Sequence, residues 1–251
     1  CLNSPLNPTG TAMSRDMLAG ISEAILSENE KRKKTGKRPV FLMYDQIYWM
    51  LTADGASHVT PPGIDPEMAR YTIFVDGISK AFAATGVRVG WAVGPVDVID
   101  RMSSILGHVG AWAPRAEQVA TAKFLDDTAS IKTYVREIKQ GIVGRLNALH
   151  EGFQAFKAQG LPVDSLSPEG AIYLTVRVAP FGKKTPDGTL LSSNEDIRKL
   201  LLDRAGVGVV PFPAFGYPDD DGWFRLSVGA VSLREVQDAL PRIGEALRAL
   251  A

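Results

Sequence analysis

Apolar residues recur along the chain in two rhythms, and the alternation between them predicts the architecture. Met17, Leu18, Ile21 and Ile25 fall on one helical face, the spacing of an amphipathic segment packed on a core. Thr11 and Ser14 stand ahead of it as N-cap candidates. The run Pro39-Val40-Phe41-Leu42-Met43-Tyr44 is continuously apolar, the pattern of a strand buried on both faces of a parallel sheet. Tyr71 to Val75 forms a second such run, and Val87 to Val93, interrupted by Gly90, a third. Helical patterns follow from Val96 to Leu106, from Ala116 to Leu125 and, at length, from Ile131 to Gln159. Strands alternating with helices predict an α/β unit with a mostly parallel sheet.

The texture changes after Gly160-Leu161-Pro162. Ala171 to Val178 reads as a strand, and Pro180 to Ser193 as a polar loop rich in Gly and Pro. Ser193 or Asn194 caps a helix reaching Arg204; Val207 to Val210 and Trp223 to Val228 read as strands. Ser232 opens a final helix, with Glu235 completing a capping box. The expected organisation is part of a large domain over 1–130, a long connecting helix over 131–160 and a smaller α+β domain over 161–251, with no internal repeat.

The chain has 251 residues, 28 basic and 28 acidic, and is 45% hydrophobic. That content suffices for a sizeable core, and the neutral balance gives no footprint for nucleic acid or an anionic membrane. The charged stretch from Glu28 to Arg38 mixes both signs and lacks aromatics, so it reads as a solvated helix end. No apolar run is long enough to span a membrane, and the first residues lack a signal-peptide pattern. The single cysteine, Cys1, excludes an internal disulfide framework and favours a reducing, cytoplasmic setting. His58, His108 and His150 lack metal-ligand spacing, so no metal site is expected, and Cys1 has no partner base in view. Trp91 is expected in the core and Trp49 at an interface, while Trp112 is open between pocket and core.

Three polar clusters fall at the carboxyl ends of the expected strands: Asn7-Pro8-Thr9-Gly10, Asp45-Gln46-Ile47-Tyr48, and Ser79-Lys80 with Arg88 beyond. In open α/β sheets that edge binds ligands. An amine just past a buried strand is partly desolvated, which makes it a usable nucleophile. A lysine amine can form a Schiff base with an aldehyde cofactor, and a carboxylate can keep a pyridine nitrogen protonated. A phenol and an amide can bond a ring hydroxyl, and an arginine fits a phosphate through two N–H groups. Pyridoxal phosphate asks for that set.

The motifs carry a close resemblance over essentially the whole chain. Gly77-Ile78-Ser79-Lys80-Ala81-Phe82-Ala83-Ala84-Thr85-Gly86-Val87-Arg88-Val89-Gly90 resembles the cofactor-attachment signature of class I/II aminotransferases, which are fold-type-I pyridoxal-phosphate enzymes. Ser4 to Gly10 resembles that family's Asn-Pro-Thr-Gly motif, and Tyr44-Asp45-Gln46-Ile47-Tyr48 its Tyr-Asp-Glu-Ile-Tyr motif. Phe224-Arg225-Leu226-Ser227-Val228-Gly229 resembles its carboxylate-binding arginine motif, while Gly170 to Tyr173 and Val210 to Gly216 recur in the same order. The lysine stretch is most similar to the bacterial aspartate/aromatic branch. The resemblance implies that Lys80 is the Schiff-base lysine and proton shuttle, and that Asp45 pairs with the ring nitrogen. It assigns Tyr48 and Asn7 to the ring hydroxyl, Arg88 and Ser79 to the phosphate, and Arg225, with Asn7, to the substrate α-carboxylate. It further implies amino acid and 2-oxo acid substrates and a homodimeric parent.

Three departures are visible. Gln46 stands where the family often has Glu, Gly77 where some branches have a phosphate-binding Ser, and Phe212-Pro213 where a glycine follows Val210-Pro211 in relatives. A longer leading segment, with a phosphate loop and a ring that stacks on the cofactor, is expected in relatives before the Asn-Pro-Thr-Gly motif. The chain therefore reads as the carboxyl-terminal two-thirds of such an enzyme. The alternatives are a lyase, synthase or decarboxylase on the same scaffold, and a non-catalytic fragment.

Overall fold

A computed structural model describes residues 1–251 and divides them into two units, Cys1–Leu6 with Ala12–Ile138 and Asn7–Thr11 with Lys139–Ala251. The first unit holds a four-stranded sheet in the order β1 (Leu2–Asn3), β2 (Leu42–Asp45), β3 (Thr72–Gly77), β4 (Gly90–Val93). β1, β2 and β3 run parallel, with Tyr44 opposite Leu2 and Phe74, whereas β4 pairs antiparallel to β3. Helix α1 (Arg15–Lys34) begins at Ser14, whose side chain accepts from the Met17 amide at 3.2 Å, satisfying one orphan donor of the first turn. Asn29 of α1 exchanges two hydrogen bonds with the Val40 backbone, at 2.7 and 3.0 Å, which fixes the entry into β2. The charged helix end is solvated as expected, with Glu28 and Arg32 paired at 2.7 Å.

Leu18, Tyr44 and Met68 lie at 0% exposure in the core beneath the sheet, with Leu42 beside them. The apolar run from Pro39 to Tyr44 is not buried on both faces, however. Phe41 is 37% and Met43 44% exposed while Leu42 and Tyr44 are buried, so β2 alternates and begins at Leu42. A short helix α2 (Pro61–Ile64) and a 3₁₀ turn (Pro66–Arg70), neither expected, lead into β3. Helices α3 (Val96–Val109), α4 (Arg115–Asp126) and α5 (Thr128–Ala158) match the three expected patterns. The division between units falls inside α5, between Ile138 and Lys139. No helix is long and apolar enough to cross a membrane.

The second unit is an antiparallel sheet in the order β5 (Val163–Ser165), β6 (Tyr173–Val178), β8 (Trp223–Ser227), β7 (Val210–Pro211), with helices α6 (Asn194–Ala205) and α7 (Leu233–Arg248). β6 is buried at Leu174, Val176 and Val178, which join Phe153, Phe224 and Ile243 in the core. Burying side chains of that size contributes about 1.5–3 kcal/mol each. Both helices start with capping boxes, Ser193 with Asp196 and Ser232 with Glu235. The strand expected over 207–210 is displaced to Val210–Pro211. Gly206 ends α6 in the left-handed region and the Val207 amide bonds back to Leu201, so Val207 serves the helix cap rather than the sheet.

Candidate active site

In the first unit, β2 delivers Asp45 to the start of a tight turn. Its Oδ1 accepts from the Ile47 amide at 3.0 Å, and its carbonyl accepts from Asn3 Nδ2 at 3.0 Å. The Gln46 amide bonds the Val75 carbonyl of β3, the Trp49 amide bonds Gln46, and the Leu51 amide bonds Tyr48. These bonds fold residues 45–51 over the end of the sheet and leave Tyr48 only 3% exposed.

β3 leads to the neighbouring position three residues before Lys80. The half-buried Lys80 amine lies 5.9 Å from the centre of the Tyr48 ring, within cation–π range. Gly77 faces Gly90 across the β3–β4 pair. A Cβ at Gly77 would sit 2.9 Å from the Val89 carbonyl, and one at Gly90 2.9 Å from the Asp76 carbonyl. The serine seen at this position in some branches therefore has no room here, because backbone, not a pliable side chain, fills the space. Beyond Lys80, Thr85 ties the remaining residues together. Its Oγ1 donates to the Ser79 carbonyl at 3.0 Å, and its own carbonyl accepts from Nη1 of the exposed Arg88 at 3.0 Å.

Two further groups of this unit, the buried Asp76 and the half-buried His58, lie beside these residues. Asp76, 9% exposed, accepts from the Gly77 amide at 2.7 Å on Oδ1. Its Oδ2 accepts from Trp49 Nε1 at 2.8 Å and Gln46 Nε2 at 3.4 Å. Burial pushes its carboxyl above the ordinary carboxylate range, against the opposing pull of those three bonds, and the nearby Asp45 charge adds to the rise. His58 shares a 3.3 Å contact with Gln46 Oε1 and lies 6.1 Å from the Trp49 ring, while its buried Nδ1 has no partner. Burial holds its imidazole below the ordinary value. Trp49, expected at an interface, is 36% exposed and donates its indole N–H to Asp76. Asp76 is the last residue but one of β3, four residues before Lys80, and that position is the available signal.

In the second unit, the Asn7–Thr11 segment is held by main-chain and side-chain bonds. The Gly10 carbonyl accepts from the Glu169 and Gly170 amides, and Thr175 Oγ1 donates to the Thr9 carbonyl at 2.9 Å. Gly10 has φ of +71° and a Cβ there would meet the Tyr173 carbonyl at 2.1 Å, so only glycine fits. Arg225 sits on β8 between Thr175 and Val210. Its neighbours Phe224 and Leu226 are buried, so strand alternation sends the guanidinium to the opposite face. There it lies 4.5 Å from the Tyr173 ring centre and 4.7 Å from that of Phe215. Nη1 donates to Asn7 Oδ1 at 2.8 Å, and the buried Nε has no partner. A planar cation so held, with a buried donor unsatisfied, suits an incoming carboxylate. Two of the seven expected site residues, Asn7 and Arg225, meet in this unit, and Asp45, Tyr48, Ser79, Lys80 and Arg88 belong to the first.

The family model for aminotransferases of class I and II matches residues 1–243. The chain belongs to the class I and II aminotransferases. It is 31% identical over 242 residues to a probable aspartate/prephenate aminotransferase of Rhizobium leguminosarum bv. phaseoli, covering 96% of this chain and 56% of the relative. It is 32% identical over 246 residues to an aspartate aminotransferase of Rhizobium meliloti (strain 1021), covering 98% of this chain and 55% of the relative. Among solved structures it is similar to the aspartate aminotransferase from Rhizobium meliloti, with a TM-score of 0.84 at 31% identity, over 100% of this chain and 58% of the other. It is also similar to an aromatic aminotransferase from Pyrococcus horikoshii OT3, with a TM-score of 0.81 at 28% identity, over 98% and 58%. The chain thus spans a little over half the length of the curated relatives it matches, and its α/β architecture is that of the fold-type-I enzymes.

Proposed function

We propose that the chain carries the amino-transfer residues of a pyridoxal-phosphate-dependent aminotransferase acting between amino acids and 2-oxo acids. The observation that carries this reading is the Lys80 amine 5.9 Å from the centre of the buried Tyr48 ring, on the turn that Asp45 begins. The donor set fits the cofactor: a half-buried primary amine, a phenol, a carboxylate, and a guanidinium with four N–H groups beyond the one bonded to Thr85. Pyridoxal phosphate, when bound, supplies an aldehyde for amine condensation and a protonated ring that accepts electrons.

The chain's own residues do the rest. Lys80 would hold the cofactor aldehyde through its amine, and that amine, once displaced by the substrate's own, would move the substrate α-proton as general base and then as general acid. Asp45 keeps the ring nitrogen protonated. Tyr48 and Asn7 hydrogen-bond the ring hydroxyl, and Arg88 and Ser79 hold the phosphate. Arg225 takes the α-carboxylate, using the donor that stands unsatisfied, and Asn7 fixes the guanidinium's orientation. Residues 1–130 then serve as the cofactor side, 131–160 as the connecting helix and 161–251 as the carboxylate side, within a homodimeric parent.

The test is a half-reaction. The protein is mixed with pyridoxal phosphate, followed by absorbance, and then given an amino acid. Expected is a visible band that converts on amino-acid addition, with one 2-oxo acid released per site. Release of carbon dioxide instead would make it a decarboxylase. Absence of any cofactor band would make the chain non-catalytic.

A further inference from the structure

Asp76 has no part in the chemistry above, yet it holds the two elements that carry that chemistry. It sits at the end of β3, and the chain runs from it through Gly77, Ile78 and Ser79 to Lys80. Its Oδ1 accepts from the Gly77 amide at 2.7 Å, which fixes the first peptide of that path. Its Oδ2 reaches across to the other element and takes Trp49 Nε1 at 2.8 Å and Gln46 Nε2 at 3.4 Å. Gln46 and Trp49 bracket Tyr48 in the turn, and the Trp49 amide closes back on the Gln46 carbonyl at 2.8 Å. One buried carboxylate therefore pins both ends of the turn bearing Tyr48 and the start of the segment bearing Lys80.

We propose that Asp76 is a positioning residue that sets the Tyr48 ring against the Lys80 amine, acting through Trp49 and Gln46. The proposal rests on the reading of Tyr48 and Lys80 given above. The chemistry of the group explains why a carboxylate stands here. Three donors converge on it, and a carboxylate is acceptor-only. An amide in its place offers one oxygen and one NH₂, so if Gly77 keeps the oxygen the NH₂ meets the Trp49 indole N–H. The Gln46 side chain can rotate to present its own oxygen, but an indole N–H is a donor in every orientation. The Trp49 indole N–H would lose its acceptor and face a second donor at the buried position 76, and the turn would move to relieve that clash. Glutamate at position 46 would bring a second carboxylate to the place where the Gln46 amide now donates, which like-charge repulsion disfavours.

The experiment compares the parent chain with Asp76→Asn, Trp49→Phe and the double variant. The first readout needs no cofactor: nuclear Overhauser contacts between the Tyr48 ring protons and the Lys80 side-chain methylenes. The second is the dissociation constant for pyridoxal phosphate, taken from fluorescence quenching well below each variant's melting temperature. Expected are loss of the Tyr48–Lys80 contacts in both single variants, with spectral dispersion retained, and at least tenfold weaker cofactor binding. The double variant should lie within threefold of either single one, because both act through one bond. Contacts unchanged in Asp76→Asn would overturn the proposal, as would single effects that multiply in the double variant. If Asp76→Asn loses its dispersion, Trp49→Phe decides, since it removes the donor without burying an unpaired group. A parent that binds no pyridoxal phosphate but whose Tyr48–Lys80 contacts vanish in the variants would refute the aminotransferase reading and leave the positioning role standing.

Discussion

Arg225 Nη1 donates to Asn7 Oδ1 at 2.8 Å, joining side chains 218 positions apart in the chain. The bond orients a guanidinium already held between Tyr173 and Phe215, at 4.5 and 4.7 Å from their ring centres. A lysine in its place has neither the planar fork nor the stacking face. Arg225→Lys in the holoenzyme should therefore raise the amino-acid KM by about 10–100-fold, the equivalent of losing one charge-assisted bond of about 1.5–3 kcal/mol. Amines without a carboxylate should react as before. Steady-state kinetics on both substrate types checks this, and an equal loss on both would make Arg225 purely structural.

Gly77 and Gly90 face one another with no space for a side chain. Gly77→Ser should cost about 1–3 kcal/mol, the usual cost of overpacking a filled site. Gly86→Ser is the control, because an added Cβ there meets nothing within 4 Å. Urea unfolding of both variants should separate them clearly; equal midpoints would contradict the packing argument.

Burial holds the His58 imidazole below its ordinary value of 6.5. A depressed folded-state value means that protonation is easier in the unfolded chain. The contribution to stability is complete above 6.5 and is lost as pH falls from there through the folded value. Asp76 has the opposite sign: its raised carboxyl contributes most below its ordinary value of 3.8, and that contribution fades as pH rises through the folded value. Comparing the parent with His58→Gln cancels the Asp76 contribution. Chemical denaturation from about pH 7 down to about pH 5 should show a shallower fall in the variant. Parallel profiles would refute the assignment.

Local signals along the chain are enough to find the long helices, though not the short α2. Ser14, Ser193 and Ser232 each stand one residue before a helix and accept from an amide three positions on, and that chemistry is readable from neighbours alone. Strand environment was not. The run from Pro39 to Tyr44 is apolar at every position, yet Met43 is exposed and Tyr44 is not, because an apolar run records no face. The direction of β4 was readable in principle. Only residues 78–89 connect it to β3 and they contain no α-helix, whereas a parallel return needs a crossover, usually helical. The motifs gave all seven candidate site residues because each motif is contiguous. Asp76 and Trp49 escaped because their bond spans 27 positions, and nothing at either end announces the other.

Lys80, and no other lysine, is the proposed recipient of the cofactor aldehyde. The protein is incubated with pyridoxal phosphate, reduced with borohydride, digested, and mapped by mass spectrometry. One labelled peptide is expected, with the pyridoxyl phosphate on Lys80, and none in the Lys80→Ala variant folded to the same extent. Label on Lys123 or Lys132, or undiminished labelling after Lys80→Ala, would contradict it.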